Sequence, residues 1–365
     1  MCIFLAELAG RKTLREKEKW LFNKWDGLKD ILPMNKCHDS PSDSTLGRVL
    51  RNINAQLLQK YVSNTIRVLL PLSIQIGKVV HFALDGKSRS GVTSELTGRT
   101  EIDLTIFHPK SASIINKLTI PDKLGESTAA PGLIEETFKS SFQNGVLTFD
   151  CAMTTPTVTR AVIDSGNEYL GGLKGFNGKV YEIAESYDWG SVEVAVLDKE
   201  IKIPHGREEE REVKIIEISK LPDEKKEAFF KYADCGIIVR VFRKRLIVST
   251  QEYSEEVAFY VGSLGLLDLT AKEIYKIQRE HWLIENRSNW VRDVVLQEDD
   301  CKTKSTNASR CLGAVRDLVL QVAFNDGGKK GIKDYIDNFA DQVIKLLSVV
   351  KSLECYKMLE NLGVT

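Results

Sequence analysis

The spacing of apolar residues changes along the chain and divides it into three regions. Through residue 75, apolar side chains such as Trp20, Leu21 and Trp25 recur at the three- and four-residue intervals of a helix face. From about residue 77 they form short alternating or continuous runs, which are typical of strands. Helical spacing returns from residue 271. The pattern therefore predicts a helical region, a strand-rich region and a second helical region.

The strand-rich region alternates with helices, which indicates a mixed α/β sheet with flanking helices. Its predicted strands are 79–85, 101–107, 114–120, 146–150 and 169–173, with helices at about 131–142 and 156–163. Between about 190 and 265 the alternation stops. The strand-like runs there are 192–196, 213–218, 236–241, 245–249 and 257–261, and they predict a β-rich insertion.

Two of the predicted strands end on an aspartate. The apolar run 79–84 is closed by Asp85 and Gly86, and the run 146–149 is closed by Asp150. A lone Asp-Gly is more often a turn than a ligand site. Two strands that finish on carboxylates, however, can bring both to one end of a sheet. Because Mg²⁺ takes hard oxygen ligands, this repetition favours a divalent metal site.

Composition limits the class of protein. A chain of 365 residues, 42% hydrophobic and 28% charged, suits a soluble globular protein of about two or three domains. Its 51 Lys and Arg balance its 51 Asp and Glu. Neutrality counts mildly against DNA binding, and any nucleic-acid surface must come from local basic clusters.

Cysteine usage and hydropathy predict a compartment. The seven cysteines are scattered and form no CxxC pair, so neither a disulfide framework nor a zinc site is expected. The apolar start is interrupted by Glu7, no basic segment precedes it, and no run of about 18 apolar residues occurs. We expect a reducing cytoplasm, no signal peptide and no membrane span.

Three groups of residues carry a family resemblance. They are Asp85-Gly86-Lys87, the runs 147–153 and 166–178, and the run 281–286 with Trp290 and Asp293. In this order and spacing they resemble the bacterial H-repeat-associated insertion-sequence transposases of the DDE transposase superfamily. The similarity continues through residues 42–51, 205–211 and 298–308, and so covers nearly the whole chain.

The resemblance implies a ribonuclease H-like catalytic core in which Asp85, Asp150 and Glu285 hold two Mg²⁺ ions, with Mn²⁺ able to substitute. Two such ions stabilise the attacking and leaving oxygens of a phosphodiester displacement. Glu285 by itself is more often a solvated helix residue, and its context with the two aspartates reverses that expectation. The wider superfamily carries Tyr, Arg, Glu and Lys around this glutamate. Gln278, His281, Glu285 and Arg292 occupy those offsets here, as in the H-repeat branch.

The resemblance also implies DNA contacts, and for all of them but Arg292 the sequence leaves an alternative open. The residues are Lys87, Lys174, Arg207, Arg211, His281 and Arg292, with His205 beside them. A lone lysine such as Lys87 is more often solvated, and Lys174 is equally well explained by a solvated position. A mixed-charge hairpin explains Arg207 and Arg211 equally well, as interface packing does His281. Trp282 and Trp290 are eight residues apart on one predicted helix and are expected to pack in the core rather than to stack on bases.

The expected domains are an N-terminal helical DNA-binding domain at 1–76, which begins as though an opening segment were missing, and a catalytic domain at 77–365. The catalytic domain contains the β-rich insertion at about 190–265 and C-terminal helices at about 271–362. The resemblance implies a bacterial enzyme that acts as a homodimer on double-stranded DNA, binding element terminal repeats and target DNA, nucleoid-associated when bound. A catalytically inactive DNA-binding relic and a nuclease of the same fold are the alternatives.

Overall fold

The computed structural model of the protein describes residues 1–29, 38–69, 80–93, 98–139, 142–202, 206–300, 305–326 and 331–339. The chain forms two compact units. Unit 1 comprises Met1–Ile74, Gly86–Lys123 and Leu283–Thr365. Unit 2 comprises Gln75–Asp85 and Leu124–Trp282.

In the described ranges, nine strands form a mixed sheet. They are β1 (Val80–Thr93), β2 (Thr100–His108), β3 (Ser113–Ile120), β4 (Gly145–Phe149), β5 (Glu168–Leu173), β6 (Val196–Lys202), β7 (Arg207–Glu217), β8 (Cys235–Ile247) and β9 (Glu252–Ser263).

The α-helices of the described ranges lie at both ends of the chain and between the strands. They are α1 (Cys2–Leu8), α2 (Leu14–Leu28), α3 (Asp43–Asn52), α4 (Ala55–Leu69), α5 (Glu126–Phe138), α6 (Pro156–Asp164), α7 (Lys179–Glu185), α8 (Asp223–Lys226), α9 (Ala271–Glu280), α10 (Thr306–Asp326) and α11 (Ile332–Phe339). No helix in the described part of the chain is long and apolar enough to cross a membrane.

In unit 2 the sheet order is β1-β4-β5-β9-β8-β7-β6. Strands β1, β4 and β5 are parallel, and Leu84, Phe149 and Gly171 are in register across them. The pairs from β5 outward to β6 are antiparallel. Helix α9 packs on this sheet, where Ile274 and Ile277 join the same core cluster as Val146.

In unit 1 the sheet order is β3-β2-β1, and β2 and β3 pair in antiparallel fashion. The N-terminal helices share one hydrophobic core with α10 and α11. Leu5, Leu21 and Leu50 belong to the same cluster as Leu312 and Phe339. Helix α3 begins at an N-cap in which the Thr45 backbone N–H donates to Ser42 Oγ, at 3.3 Å.

The order 3-2-1-4-5, with strands 1, 4 and 5 parallel, is that expected of a ribonuclease H-like sheet. The predicted mixed α/β class with flanking helices is therefore confirmed. Strands β6 to β9 form the predicted β-rich insertion.

Strand β1 corrects one prediction, because it does not stop at Asp85 and Gly86 but continues to Thr93. The residues beyond the expected turn keep the strand alternation with buried cations. Lys87 and Arg89 are buried and pair with carboxylates, so polar residues extend a strand that the apolar pattern would end. The hydrogen-bonded ladder between β1 and β4 does end at Leu84 and Phe149.

Strand β8 corrects a second prediction. The runs 236–241 and 245–249 were expected as separate strands, yet β8 is continuous through the basic residues between them. Arg243 lies opposite Glu256 on β9 and Lys244 lies opposite Glu255. Opposite charges across an antiparallel pair stabilise a strand that has lost its apolar alternation. The run 192–196 is also displaced, because β6 begins at Val196.

Several other bounds shift. Helix α5 begins before the predicted residue 131 and contains Pro131. Of the helix expected at 331–360, α11 accounts for Ile332–Phe339, and residues 340–360 lie outside the described ranges.

Candidate active site

Asp85 and Asp150 each directly follow the last paired residue of two neighbouring parallel strands. The register pairs Leu84 of β1 with Phe149 of β4, so the two aspartates come next on both chains at the same end of the ladder. Asp150 is exposed and Asp85 is partly buried. Ligands of open α/β sheets bind outside the carboxyl ends of parallel strands, and this is the end at which both carboxylates lie.

The loop after β4 fixes the position of Asp150. The backbone N–H of Met153 donates to Asp150 Oδ1 at 3.0 Å. The hydroxyl of Thr154 donates to the carbonyl oxygens of Asp150, at 3.0 Å, and of Gly172, at 2.7 Å. Thr155 then caps helix α6, accepting from the Val158 backbone N–H at 3.3 Å. One carboxylate oxygen of Asp150 is thereby oriented by the backbone of its own loop.

Glycines allow β5 to approach this loop closely. A Cβ added at Gly171 would lie 2.6 Å from both the Phe149 ring and Thr154 Oγ1. A Cβ at Gly172 would lie 3.2 Å from the backbone nitrogen of Cys151. A side chain at Gly171 would therefore clash, and one at Gly172 would make a tight contact.

The turn after β5 adds a lysine at the same end of the sheet. Lys174 is exposed, and its backbone N–H donates to Asn177 Oδ1 at 2.8 Å. The amide of Asn177 donates in turn to the carbonyl oxygens of Cys151 and Thr154, both at 3.4 Å. Asn177 thus connects the turn that carries Lys174 to the loop that carries Asp150.

Two histidines and a threonine lie behind the strand ends. Thr148 Oγ1 lies 2.9 Å from His81 Nε2 and 2.9 Å from His281 Nδ1, while His81 Nδ1 lies 3.5 Å from Glu280 Oε2. Burial, reinforced by the charge of His81, lowers the pKa of His281 to about 4. Burial also lowers the pKa of His81, against the opposing effect of Glu280. Both rings are therefore neutral at pH 7.

Glu285 belongs to unit 1 and lies in an unusual helical segment. Residues Glu285–Asn289 and Val291–Val295 are π-helical, a form that often marks functional sites. The Glu285 side chain is exposed, and Asn289 Nδ2 donates to its Oε2 at 3.0 Å. Ile284 beside it is buried.

The donor chemistry of Asp85 and Asp150 fits Mg²⁺. In proteins this ion commonly takes one or two carboxylates and completes its shell with waters and substrate phosphates. Across the described residues, no group of three or more His, Cys, Asp or Glu side chains is arranged to hold a metal ion. In this structure the groups that suit Mg²⁺ are therefore two carboxylates, those of Asp85 and Asp150, at one end of unit 2.

Two of the residues expected at DNA are buried in ion pairs of unit 1. Lys87 Nζ lies 2.7 Å from Asp293 Oδ1 and 3.6 Å from Asp299 Oδ1. Arg292 has a fully buried side chain, with Nη2 2.7 Å from Asp103 Oδ2 and Nε 2.7 Å from Glu298 Oε2. In this conformation both cations face protein carboxylates, and their DNA contacts stay predictions.

The basic residues of the insertion also face acids. Arg211 is buried and bonds Glu209, with Glu200 Oε2 at 3.4 Å. Arg207 is partly exposed, with Nε 3.5 Å from Glu209 Oε1. This arrangement is the mixed-charge alternative that the sequence left open, and contact of these arginines with DNA stays a prediction. His205 lies outside the described residues.

The expectation for the two tryptophans was wrong. Trp282 is 63% exposed and Trp290 is 52% exposed, so neither packs in a core. Sequence reasoning also missed Thr148 and Asn177, which organise the strand ends. Their proximity to Asp150 in sequence or to the following Gly-rich turn was a signal, but a lone Thr or Asn has no distinctive pattern.

Comparison with known proteins gives a consistent set of relatives. No protein-family model matches the chain. The chain is 26% identical over 255 residues to the H repeat-associated putative transposase YhhI of Escherichia coli (strain K12), covering 67% of this chain and 64% of that protein. The chain is similar to the H repeat-associated transposases. The resemblance predicted from the sequence is thus confirmed.

Two further relatives agree in identity and coverage. The protein named "Putative protein YbfL" of the same strain matches at 26% over 255 residues, with 67% of this chain and 64% of that protein covered. The "Putative transposase YncI" of Escherichia coli O157:H7 matches at 23% over 329 residues, which is 87% of this chain and 79% of that protein. The chain spans a little under two thirds of the length of YhhI and YbfL.

Among solved structures, a piggyBac transposase synaptic complex with hairpin DNA aligns with a TM-score of 0.44 and 10% identity. The alignment covers 98% of this chain and 72% of that chain.

Proposed function

We propose that this protein is a DNA transposase that cuts and joins DNA strands by metal-dependent phosphodiester chemistry of the DDE type. The observation that carries the proposal is the placement of Asp85 and Asp150 directly after paired residues of neighbouring parallel strands. Similarity to H repeat-associated transposases favours phosphodiester chemistry at that carboxylate pair. Neither observation alone would distinguish a metal site from two strand ends.

Asp85, Asp150 and Glu285 are the residues that would hold the metal. Bound Mg²⁺ would supply charge stabilisation to the attacking and leaving oxygens. The Met153 N–H would keep one oxygen of Asp150 oriented, leaving the other to face the ion. The exposed ammonium of Lys174 would attract the phosphate backbone toward this end of the sheet.

The partners proposed are double-stranded DNA, as terminal repeats and as target, and a second copy of the chain on that DNA. Residues 1–76 are proposed to contribute to DNA binding, with Arg48 and Arg51 on α3 as candidate phosphate contacts. The proposed location is the bacterial cytoplasm, at the nucleoid. The proposed DNA contacts at Lys87, Arg207, Arg211, His281 and Arg292 would require these side chains to exchange protein partners for phosphate.

The test is cleavage of the DNA that flanks the reading frame, with Mg²⁺ or Mn²⁺. Asp85→Asn, Asp150→Asn and Glu285→Gln should each lower the cleavage rate by more than about a hundredfold, since even residues that only orient metal ligands commonly contribute 10- to 100-fold. DNA affinity in the absence of metal should change little. Asp164→Asn, at a 65% exposed carboxylate on α6, is the matched control and should cleave normally.

The outcomes separate the alternatives. Near-normal cleavage by one of the three variants would remove that residue from the proposed site. Binding by the wild-type protein without nicking would favour the inactive DNA-binding relic. Nicking without joined products would favour a nuclease of the same fold.

A further inference from the structure

The turn that follows β5 presents a phenyl ring to solvent. Phe176 is 66% exposed, although transfer of a phenyl ring from water into a protein core is favourable. A single exposed apolar residue is common and means nothing by itself. At Phe176, however, the exposed ring stands on a turn held by hydrogen bonds and flanked by lysines.

The turn is held in place beside Asp150. Asn177, the residue after Phe176, is buried and bonds on three sides. Its amide donates to the Cys151 and Thr154 carbonyls, its Oδ1 accepts from the Lys174 backbone, and its carbonyl accepts from Lys231 Nζ at 3.4 Å. The backbone that carries Phe176 is therefore fixed to the loop that carries Asp150. A ring on such a turn is positioned before any partner arrives.

The turn that carries the ring is positively charged. Residues 174–179 read Lys-Gly-Phe-Asn-Gly-Lys and contain no acid. Within the described ranges, the ammonium groups of Lys174, Lys179 and Lys231 form no ion pair; that of Lys231 lies 5.0 Å from the Tyr232 ring centroid. Exposed cations on both sides of an exposed aromatic face suit a polyanion that also carries flat apolar rings, which describes a nucleic-acid strand.

We propose that Phe176 stacks on an unpaired base of a DNA strand, next to the phosphodiester that the strand presents to Asp150. The strand's phosphates would pass Lys174 and Lys231. In a duplex each base face is covered by its neighbours, so the phenyl ring requires a base that has left the stack. Phenylalanine has no hydrogen-bonding group, so the contact would tolerate any base. This inference rests on the proposed function.

The test is metal-free binding of a short single-stranded oligonucleotide that carries one fluorescent purine analogue. Phe176→Leu keeps an apolar side chain of similar size but removes the aromatic face, and it should weaken binding by between about 5-fold and about 150-fold. Phe176→Trp should retain affinity and quench the analogue. Tyr253→Leu, at a 57% exposed ring on β9, is the matched control and should bind as the wild type does.

A fully paired duplex of the same sequence should be affected much less by Phe176→Leu. Unchanged single-strand affinity in Phe176→Leu, or absence of quenching by Phe176→Trp, would overturn the inference. So would a change in the oligomeric state of Phe176→Leu, because the ring would then contact protein. Quenching by Phe176→Trp together with no cleavage by the wild type would support the base contact and refute the proposed activity. Cleavage by the wild type together with wild-type affinity in Phe176→Leu would support the activity and refute the base contact.

Discussion

At the scale of single residues, the neutral histidines behind the strand ends make stability depend on pH. Thr148 Oγ1 has one hydroxyl proton and three close partners, namely His81, His281 and the Phe82 carbonyl oxygen at 3.2 Å. Protonating either ring would place a positive charge in a site that lowers both pKa values by burial. The folded protein therefore resists protonation that the unfolded chain accepts.

We predict that the free energy of unfolding falls between about pH 6.5 and about pH 4. The unfolded histidines bind protons below about pH 6.5, while folded His281 stays neutral to about pH 4. Since the unfolded state binds more protons in this window, lowering the pH favours unfolding. The contribution is on the order of 1–2 kcal/mol, allowing for the partial exposure of His281.

Urea unfolding across this range measures the effect. His281→Asn should reduce the slope of unfolding free energy against pH. His38→Gln removes an exposed histidine and should leave the slope unchanged. Equal slopes in the wild type and His281→Asn would contradict the assignment.

At the scale of elements, β5 is shaped to approach the loop that carries Asp150. Gly171 lies so close to Phe149 and Thr154 that a Cβ would clash with both, and a Cβ at Gly172 would lie 3.2 Å from the Cys151 nitrogen. The close approach lets Thr154 bond both the Asp150 and the Gly172 carbonyls. The geometry of the candidate site thus depends on the absence of side chains at Gly171 and Gly172.

We predict that Gly171→Ala destabilises the protein by about 1–3 kcal/mol, the usual cost of adding a methyl group to a packed core. The new Cβ would have to displace the Phe149 ring and the Thr154 hydroxyl, so the Asp150 loop should move and cleavage should fall. Gly175→Ala, where no atom lies within 4 Å, is the control and should change stability by less than about 0.5 kcal/mol. Thermal unfolding and cleavage rates check both variants. An unchanged melting temperature in Gly171→Ala would contradict the packing argument.

At the scale of the whole molecule, unit 1 is organised around a buried network of charges. Arg292 from the π-helical segment meets Asp103 of β2 and Glu298, and Lys117 of β3 lies 2.5 Å from Asp317 of α10. Burial would raise the pKa of Asp103, but the charges of Arg89, Lys117 and Arg292 hold it well below its usual range. Segments far apart in sequence are thereby joined by charge as well as by apolar packing.

We predict that Arg292→Met destabilises the protein by about 3–5 kcal/mol, because it leaves buried carboxylates without their cation. Arg292→Lys should recover part of the loss. Arg160→Ala, at a 60% exposed arginine 4.0 Å from Asp164, should change stability by less than about 1 kcal/mol. Denaturant unfolding provides the measurement. A small loss of stability together with a large loss of DNA affinity in Arg292→Met would instead support the predicted DNA contact.

Local sequence determined the elements with strong periodicity. Strands β2, β3, β4 and β5 and helix α6 fall within a residue or two of their predicted bounds, because apolar spacing reflects burial on one face or both. It also placed Asp85 and Asp150 after apolar runs. Strand β1 was mispredicted because Lys87 and Arg89 look solvated in sequence and are in fact buried beside carboxylates distant in the chain.

The sequence by itself determined the α/β class, the resemblance to H repeat-associated transposases and the positions of the two aspartates. The tertiary structure alone decided which cations pair with protein carboxylates. Arg292 is buried in such a pair, whereas Lys174 is exposed and has no ion pair among the described residues. The physical reason is that burial and ion pairing depend on partners contributed by other segments. A charged residue carries the same local signal in either case.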